Sequence, residues 1–290
     1  MRIVVVDIGG TAIKSGVFDK GKVRQIKEEK TEAKRGAKAV FETVEAMIES
    51  YQSVDAIGIC TTGQIDVEKG RVCFAGPNIP DYQGFEIKKT LVERFHVPVA
   101  VENDVNAAAL GEAYFGAGVV VNDFLCLTYG TGIGGAIIQN KQLYRGKNFA
   151  AGEFGGLIIH PENRNQNNDD IFSGCYERYA SVTALVHAAR KVDASIQNGR
   201  DVWEKRNSLF VKEVLADWIQ EISIGLVSLI HIFDPELVLL GGGMMEQSEL
   251  ILRIEEKIKE MIMDRYKGVQ ITSAQLGNLA GLYGMVRILQ

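Results

Sequence analysis

The sequence has few of the residues that build disulfides and metal centres: its 290 residues include only 4 cysteines and 4 histidines. The cysteines lack C-x-x-C spacing and three of them lie in apolar runs, so we expect buried free thiols and no disulfide framework. They are Cys60, Cys73, Cys126 and Cys175. This scarcity excludes a disulfide-stapled secreted domain.

Basic clusters, long apolar runs and a leader segment are missing as well. The formal net charge is −5, and Lys and Arg form no block or stripe. The basic surface that binding to a nucleic-acid backbone requires is therefore missing, and we expect no nucleic-acid partner. No charged segment with a cleavage site precedes the first apolar strand, and no apolar run approaches the length of a membrane span. We therefore expect a cytoplasmic protein with no membrane partner.

Two common nucleotide-binding motifs are also excluded. The P-loop pattern G-x-x-x-x-G-K-[ST] does not occur. "GTGIGG" satisfies G-x-G-x-x-G, and Glu153 follows at roughly the spacing of a ribose-binding acid, but the following "AIIQNKQLYRG" has the pattern of a strand and a turn. A Rossmann turn must open a helix, so this match is not a dinucleotide site.

What the sequence does contain is a duplicated plan. Strands alternate with amphipathic helices, which predicts a mainly parallel α/β sheet, with a three-strand meander at 2–7, 12–18 and 22–28. The pattern restarts at "DFLCLTYG", and the composition and length fit two domains. We predict one lobe over 1–117, joined by the terminal helix 278–290, and a second lobe over 118–277.

A strand, a small Gly/Thr turn and a second strand are written twice, as "VVVDIGGTAIKSGVF" and, about 121 residues further on, "LCLTYGTGIGGAIIQ". Such bends expose backbone N–H groups that suit phosphate oxygens, although either turn alone is as easily a plain hairpin. Asp7 can hold a hydrated magnesium, and Thr11 and Lys14 can donate to phosphate. The other candidate phosphate-binding residues are Gly9, Gly10, Gly130, Thr131 and Gly132.

Five motifs in order, "DIGGT", "GPNIP", "END", "YGTGIGG" and "AGEFG", resemble the ROK family of sugar kinases and sugar-responsive repressors, within the actin/hexokinase/Hsp70-like superfamily. The resemblance spans nearly the whole chain. It implies an α/β, two-lobed actin-like ATPase (ribonuclease H-like) fold, with duplicated lobes around a central cleft that holds sugar and ATP.

The resemblance implies that Asp104 is the catalytic base for the sugar's 6-hydroxyl, with ATP and Mg²⁺ as cofactors. On spacing alone, Asp104 could equally cap the helix that begins at "VNAAAL". The implied sugar ligands are Asn78, Asn103, Glu153 and Glu177, and the implied adenosine loop contains Gly241 and Gly242. The alternatives without a binding role are a turn residue for Asn78, a solvent-exposed loop acid for Glu153 and a strand-to-helix turn for the two glycines.

The sequence departs from the family at its zinc motif. Gly156 stands where many members have a histidine, and Asn168 and Asp170 stand at two of the cysteine positions, so that only Cys175 remains. One thiolate cannot hold tetrahedral zinc, and His160 is too far along the chain to restore the site, so we expect no zinc. In zinc-bearing members of the family this histidine also touches the sugar, so the resemblance implies extra room beside the sugar ring at Gly156.

The favoured function is an ATP-dependent carbohydrate kinase that phosphorylates the 6-hydroxyl of glucose, a β-glucoside or N-acetylmannosamine. A repressor would need a DNA-binding helix-turn-helix before "DIGGT", where this chain has six residues. A non-catalytic sugar sensor, or a ROK-type regulator without a DNA-binding domain, is the alternative. The resemblance also implies a homodimer.

Overall fold

The computed structural model describes residues 1–165 and 170–290, which cluster into two compact units. Unit 1 consists of Met1–Val119, Gln142–Ala151 and Asn278–Gln290, and unit 2 of Val120–Lys141 and Gly152–Gly277. The chain therefore leaves unit 2 after Lys141 and returns to it at Gly152.

Strands and helices alternate along most of the chain. The strands are β1 (Ile3–Ile8), β2 (Ala12–Asp19), β3 (Lys22–Lys30), β4 (Ala56–Thr61), β5 (Gln64–Asp66), β6 (Arg71–Phe74), β7 (Val99–Asn103), β8 (Phe124–Tyr129), β9 (Ile133–Gln139), β10 (Gln142–Leu143), β11 (Leu237–Gly241) and β12 (Gln270–Ser273). The helices are α1 (Ala37–Glu49), α2 (Ile87–Phe95), α3 (Asp104–Phe115), α4 (Glu177–Ala180), α5 (Val182–Val192), α6 (Gly199–Glu204), α7 (Leu209–Phe233), α8 (Ser248–Met261) and α9 (Ala280–Leu289).

The two units repeat one sheet plan. In unit 1 the strand order is β3-β2-β1-β4-β7, with β1 antiparallel to β2 and parallel to β4. In unit 2 the strands β9, β8, β11 and β12 follow one another in that order, with β8 antiparallel to β9 and parallel to β11. The β1–β2 and β8–β9 turns each contain three residues, Gly9–Thr11 and Gly130–Gly132. The duplication read from the sequence is therefore confirmed in the backbone.

The central sheet of unit 1 is buried on both faces. Val4, Val6 and Ile8 of β1 belong to the core cluster that contains α1 and α2, while Ile3 and Val5 belong to the cluster that contains α9. This alternation follows from the two-residue period of a strand. It explains why β1 reads as a nearly continuous apolar run, as parallel strands covered on both faces do.

Helix α7 is the long core helix of unit 2. By length and composition Leu209–Phe233 could span a membrane, but half of its most apolar 18-residue window is buried inside the protein. Its inward residues include Leu215, Trp218, Ile222 and Leu226, at the spacing of one helical face. The helix thus has the burial of a core helix. The sequence expectation that no apolar run approaches a membrane-spanning length is wrong for this helix.

The elements that the sequence analysis located lie where it predicted them. The three-strand meander, the helix α3, the strand β8 and the terminal helix α9 agree with it to within a few residues. The β5–β6 hairpin and the short helices α4, α5 and α6 had not been predicted. All four cysteines are free, and three of them are buried; Cys73 is exposed.

Helices α3 and α9 cross closely within unit 1 because small residues face one another. A Cβ added to Gly284 would overlap the carbonyl oxygen of Ala107, and one added to Gly111 would overlap that of Ala280. No side-chain rotation relieves an overlap with backbone. Any larger residue must therefore push the helices apart.

We expect Gly284→Ala to lower the free energy of unfolding by about 2 kcal/mol or more, because overpacking outweighs the gain of about 1 kcal/mol in helix propensity. Urea denaturation checks this. Gly76→Ala is the matched control, since a Cβ at Gly76 meets nothing within 4 Å. Equal stability of the two variants would show that the helices adjust without cost.

Candidate active site

The carboxyl ends of three parallel strands in unit 1 bring the predicted acids together. Asp7 of β1 pairs in register with Cys60 of β4, and Thr61 of β4 pairs with Asn103 of β7. Asp104 follows Asn103 as the first residue of α3. Parallel strands end at one edge of a sheet, which is where α/β proteins build their sites.

Burial disfavours the ionised forms of Asp7 and Asp104, and the charge of Asp104 also disfavours that of Asp7. Burial raises the pKa of Asp7 from 3.8 to about 6, and the charge of Asp104 adds to this rise. A hydrogen bond from the Cys60 thiol and the charge of Lys14 oppose it. Burial also raises the pKa of Asp104, against hydrogen bonds from Val105 and Asn103. The pair is a concentration of negative charge that the neighbouring side chains offset only in part.

Helix α9 packs against Asp7 and Cys60. A Cβ on Gly281 would lie 2.9 Å from Cys60 Sγ and 3.7 Å from Asp7 Oδ2. The glycine therefore lets the helix backbone approach both side chains. Cys60 was expected only to be a buried thiol. Its contact with Asp7 follows from its place on the strand next to β1, which the sequence could not supply.

Asn103 caps helix α3. Its Oδ1 accepts hydrogen bonds from the backbone N–H groups of Val105 at 2.9 Å and Asn106 at 3.0 Å. Its Nδ2 donates to Asp104 Oδ1 at 2.8 Å and to the carbonyl of Gly63 at 3.0 Å. The alternative reading of Asp104 as the helix cap is thus wrong, because the preceding residue has that role and in addition orients the Asp104 carboxylate.

The first glycine turn is held by the end of the meander. Gly9 N donates to the carbonyl of Ala12 at 3.0 Å, and Thr31 Oγ1 donates to the carbonyl of Gly9 at 2.6 Å. A Cβ at Gly10 would meet nothing within 4 Å, and Thr11 is exposed. The turn is therefore anchored at its base and open at its tip. Lys14, opposite Asp7 in register, also lies 3.9 Å from Glu28 Oε2.

Asn78 lies exposed in a turn between β6 and α2, followed by the buried Ile79. The neighbouring "CTTG" segment is tied down from inside: Thr61 Oγ1 lies 2.5 Å from Tyr82 OH, and Gly63 has a φ of 97° and accepts from Asn103. In unit 1 the structure thus gathers Asp7, Lys14, Asn103 and Asp104 and leaves Asn78 on the surface of a separate turn.

The second glycine turn lies in unit 2. Gly130 N donates to the carbonyl of Gly132 at 3.0 Å, and the Gly130 carbonyl accepts from Val182 N at 3.0 Å at the start of α5. A Cβ at Gly130 would meet nothing within 4 Å, and Thr131 is exposed. This turn too is anchored at its base and open at its tip.

The "LGGG" segment is the neighbour of this turn. Gly241 of β11 pairs with Thr128 of β8, and Gly242 has a φ of 104°, with a Cβ that would overlap the carbonyl of Tyr129. Only glycine fits so close to the end of β8. The predicted adenosine loop and the predicted phosphate turn are therefore adjacent in unit 2.

Glu177 lies against two of the predicted motifs. A Cβ on Gly132 would be 2.7 Å from Glu177 Oε2, and one on Gly155 would be 3.0 Å from the same oxygen. The glycines of "YGTGIGG" and "AGEFG" therefore make room for one half-buried carboxylate. This gives a physical reason for the two motifs to occur together.

Glu153 is exposed and directly precedes the buried Phe154. Gly135 and Gly152 approach so closely that a Cβ on Gly152 would lie 2.6 Å from the Gly135 carbonyl oxygen. This approach seats the "AGEFG" segment on β9. The Phe154 ring packs edge-on against Phe233 at 6.0 Å, which fixes the backbone that presents Glu153.

The tyrosine before Glu177 is buried in a hydrogen-bonded chain that the sequence did not reveal. Tyr176 OH donates to the carbonyl of Ile222 at 2.8 Å and lies 2.7 Å from Tyr129 OH. A Cβ on Gly225 would overlap the Tyr176 ring. Helix α7 therefore holds Tyr176, and with it the start of α4 where Glu177 lies.

An arginine holds the segment where the family's zinc motif would lie. Arg164 Nη1 donates to the carbonyls of Ile171 at 2.8 Å and Ser173 at 3.0 Å, and lies 3.7 Å from Cys175 Sγ. Asp170 pairs with Arg178 at 3.1 Å. Asn168 lies outside the described residues.

Across residues 1–165 and 170–290, no group of three or more His, Cys, Asp and Glu side chains could hold a metal ion. His160 hydrogen-bonds to Glu162 at 2.8 Å and to Glu221 at 2.9 Å. The expected lack of zinc stays a prediction. A Cβ at Gly156 would meet nothing within 4 Å, which agrees with open space at the position of the missing histidine.

Comparison with known proteins gives matches over nearly the whole chain. A β-glucoside kinase of Klebsiella pneumoniae is 29% identical over 290 residues, 99% of this chain and 95% of that protein. A glucokinase of Streptomyces coelicolor is 32% identical over 305 residues, 96% of this chain and 94% of that protein.

Solved structures agree with these matches. A ROK family glucokinase from Streptomyces griseus, in complex with glucose and AMPPNP, has a TM-score of 0.85 at 30% identity and covers 99% of both chains. This likeness confirms the predicted α/β actin-like ATPase fold. The model of the ROK family matches residues 3–290, and the chain therefore belongs to the ROK family.

Proposed function

We propose that this protein is an ATP- and magnesium-dependent sugar kinase that transfers the γ-phosphoryl group to the 6-hydroxyl of a hexose or hexose derivative. The observation that carries the proposal is the pair of carboxyl groups, Asp7 and Asp104, at the carboxyl ends of strands in one sheet, where Asp104 helps to raise the pKa of Asp7 to about 6. The sugar kinases among the relatives support the same reaction class.

Asp104 is the general base. Its burial raises its pKa, which makes it a better acceptor for the proton of a sugar hydroxyl near neutral pH. The hydrogen bonds from Asn103 Nδ2 and Val105 N both go to Oδ1, and they fix the direction of the carboxylate. Such orientation is most of what a kinase must supply, because phosphoryl transfer is accelerated mainly by positioning and charge neutralisation.

Asp7 fits a magnesium ion held through water. Mg²⁺ prefers carboxylate and water oxygens, and the charges of Asp7 and Asp104 are offset by the chain only in part. When bound with ATP, the ion neutralises phosphate charge. The proposed phosphate donors of unit 1 are the amides of Gly10 and Thr11 together with Lys14, and those of unit 2 are the amides of Thr131 and Gly132. The amides of Gly9 and Gly130 already donate within their own turns, so these two glycines shape the turns. Gly241 and Gly242 admit the adenosine.

The sugar is bound by amide and carboxylate groups, which can make the paired donor and acceptor bonds that vicinal hydroxyls need. They are Asn78, Asn103, Glu153 and Glu177. Both amide hydrogens of Asn103 are already donated within the protein, so it binds sugar by exchanging one of these bonds. The open space at Gly156 favours glucose with a substituent, as a β-glucoside or N-acetylmannosamine, over glucose alone.

We propose two domains that correspond to the two lobes implied by the family. The first is residues 1–117 together with the terminal helix 278–290, and the second is residues 118–277. The protein is further proposed to act as a cytoplasmic homodimer without nucleic-acid or membrane partners. The resemblance to the family and the net charge of −5 support these points.

We expect Asp104→Asn to lower kcat by a factor of about 100 to 10,000, because the general base is lost, while the sugar's dissociation constant changes little. Coupled ADP release and calorimetric sugar titration measure the two quantities. Asp81→Asn, at an exposed acid of unit 1, is the matched control. Retained turnover in Asp104→Asn would remove Asp104 as the base. A wild-type protein that binds sugars without turnover would instead be a sensor.

We expect Asp7→Asn to stabilise the nucleotide-free protein in a pH-dependent way. The folded-state pKa of Asp7, about 6, lies above its unfolded value of 3.8, so its ionisation costs the folded state nothing below pH 4 and the full amount above pH 6. The gain in unfolding free energy should grow between these limits to about 2 to 3 kcal/mol. Urea titrations from pH 4 to pH 8 measure it.

The same Asp7→Asn variant should lose most of the thermal shift that MgATP produces in wild-type protein, because the magnesium anchor is gone. Asp81→Asn should match wild type in both experiments. Wild-type and Asp7→Asn curves that run parallel with pH would show that Asp7 is not a destabilised carboxyl. An unchanged MgATP shift would show that it does not anchor the ion.

We expect ADP release with β-glucosides such as cellobiose and gentiobiose, or with N-acetylmannosamine, to exceed that with glucose in kcat/KM. Gly156→His should reverse this order by filling the open space, whereas Gly156→Ala should preserve it. A panel of these sugars with mannose, fructose and N-acetylglucosamine checks the preference. Glucose as the best substrate of the wild type, with no effect of Gly156→His, would contradict it.

A further inference from the structure

Unit 1 buries a charge that the proposed chemistry does not use. Glu102, on β7, is 1% exposed and lies two residues before Asp104. An ionised carboxylate in such a position is costly unless its oxygens are hydrogen-bonded and its charge is paired. The question is what this charge holds in place.

Both carboxylate oxygens of Glu102 have close polar partners. Oε1 accepts from Asn103 N at 3.0 Å and from Asn106 Nδ2 at 3.1 Å. Oε2 accepts from Arg145 Nε at 2.8 Å and forms an ion pair with Arg145 Nη2 at 2.7 Å. One oxygen thus holds the first turn of α3, and the other holds an arginine. Charge-assisted bonds of this length are the strong ones.

The side chain of Asn106 contacts Glu102 in an orientation that leaves one of its own buried polar atoms unsatisfied within the part of the chain that the structure describes. It is 4% exposed, and its Oδ1 has no hydrogen-bond partner among the described residues, whereas its Nδ2 donates to Glu102. A buried acceptor without a partner is unfavourable. The orientation of Asn106 is therefore explained by the demand of the Glu102 carboxylate.

Arg145 belongs to the segment Gln142–Ala151, which clusters with unit 1 although the residues on both sides belong to unit 2. The Arg145 carbonyl accepts from Ala151 N at 3.1 Å, and Gly146, with a φ of 68°, brings a Cβ position within 3.1 Å of Ala151 Cβ. The segment is thus a closed loop, and the chain leaves it two residues before Glu153.

We propose that Arg145 is a positioning residue, whose ion pair with Glu102 holds the Asn103–Asp104 turn in the orientation that lets Asp104 accept the sugar proton. The same ion pair fixes the loop from which the chain runs on to Glu153. This inference rests on the proposed function, because it assigns Arg145 a role in the work of Asp104. Arg145 acts on Asp104 through Glu102 and Asn103.

A purely structural ion pair makes different predictions. If Arg145 only stabilises unit 1, its loss lowers the melting temperature and leaves the kcat of the folded protein unchanged. If it positions Asp104, kcat falls more than the sugar KM changes, because misplacement of the base by about 1 Å costs a factor of about 100 in rate while ground-state sugar contacts remain. The KM-against-kcat split therefore separates the two roles.

The experiment compares Arg145→Met, Arg145→Lys and Arg35→Met under saturating ATP, with the best sugar of the panel. Arg35 is the matched control, since it forms an exposed ion pair with Glu32 in the same unit. We expect Arg145→Met to lower kcat about 100-fold with the sugar KM within threefold. Arg145→Lys should recover at least tenfold, and Arg35→Met should equal wild type.

Two further measurements keep the proposal open to refutation if Arg145→Met folds poorly. In Arg145→Ala, ethylguanidinium at millimolar concentration should raise kcat at least tenfold, whereas ethylammonium and sodium chloride at equal ionic strength should not. The double variant Glu102→Gln/Arg145→Met should be more active than Arg145→Met, because no unpaired charge remains. A kcat within threefold of wild type in folded Arg145→Met, or an equal effect of all three salts, would overturn the proposal.

Hydrogen exchange separates failure of this inference from failure of the proposed function. Amide exchange of Asn103 and of residues 143–151 should be faster in Arg145→Met than in wild type, whether or not the protein is a kinase. Wild-type protein without sugar-dependent ADP release would refute the proposed function. Active wild-type protein with unchanged exchange and unchanged kcat in folded Arg145→Met would refute the inference alone.

Discussion

Two partly buried carboxyl groups at one edge of a sheet, Asp7 and Asp104, are the constraint around which unit 1 is arranged. Burial and mutual repulsion raise the pKa of Asp7 to about 6, so ionisation near neutral pH costs the folded protein stability. Neighbouring features limit this cost: the Cys60 thiol, the charge of Lys14 and the hydrogen bonds to Asp104. Acidic groups that lower the stability of the empty protein are a common compromise between stability and activity.

The surrounding packing shows how that pair is kept in place. Parallel pairing of β1, β4 and β7 sets the acids at one edge of the sheet. Gly281 lets α9 approach Asp7 and Cys60, while Gly284 lets the same helix cross α3 at close range. The helix that carries Asp104 and the helix behind Asp7 are therefore packed against each other. Glycine is needed at these points because the clashes would be with backbone or with buried side chains.

The two glycine turns share one backbone plan but are surrounded by different side chains. In unit 1 the strand before the turn carries an acid, Asp7, and the turn is pinned by Thr31. In unit 2 the equivalent strand carries Thr128, and the turn packs against Glu177 and the start of α5. The tips of both turns are exposed, at Gly10 and Thr11 in unit 1 and at Gly130 and Thr131 in unit 2. The difference lies in which side chain each unit packs beneath its turn.

The sequence by itself determined the α/β class, the duplication, the longer helices and strands and the family, because these depend on periodicity and on local motifs. It also singled out Asp7, Asp104, Glu153 and Glu177 as candidates. It could not determine that Asn103 rather than Asp104 caps α3, since both fit the spacing, nor find the β5–β6 hairpin. Only the tertiary structure joined Glu102 to Arg145, Arg164 to the carbonyls of Ile171 and Ser173, and Glu177 to Gly132 and Gly155. These contacts join residues distant in the sequence, and no local pattern encodes which strand ends and loops meet in space.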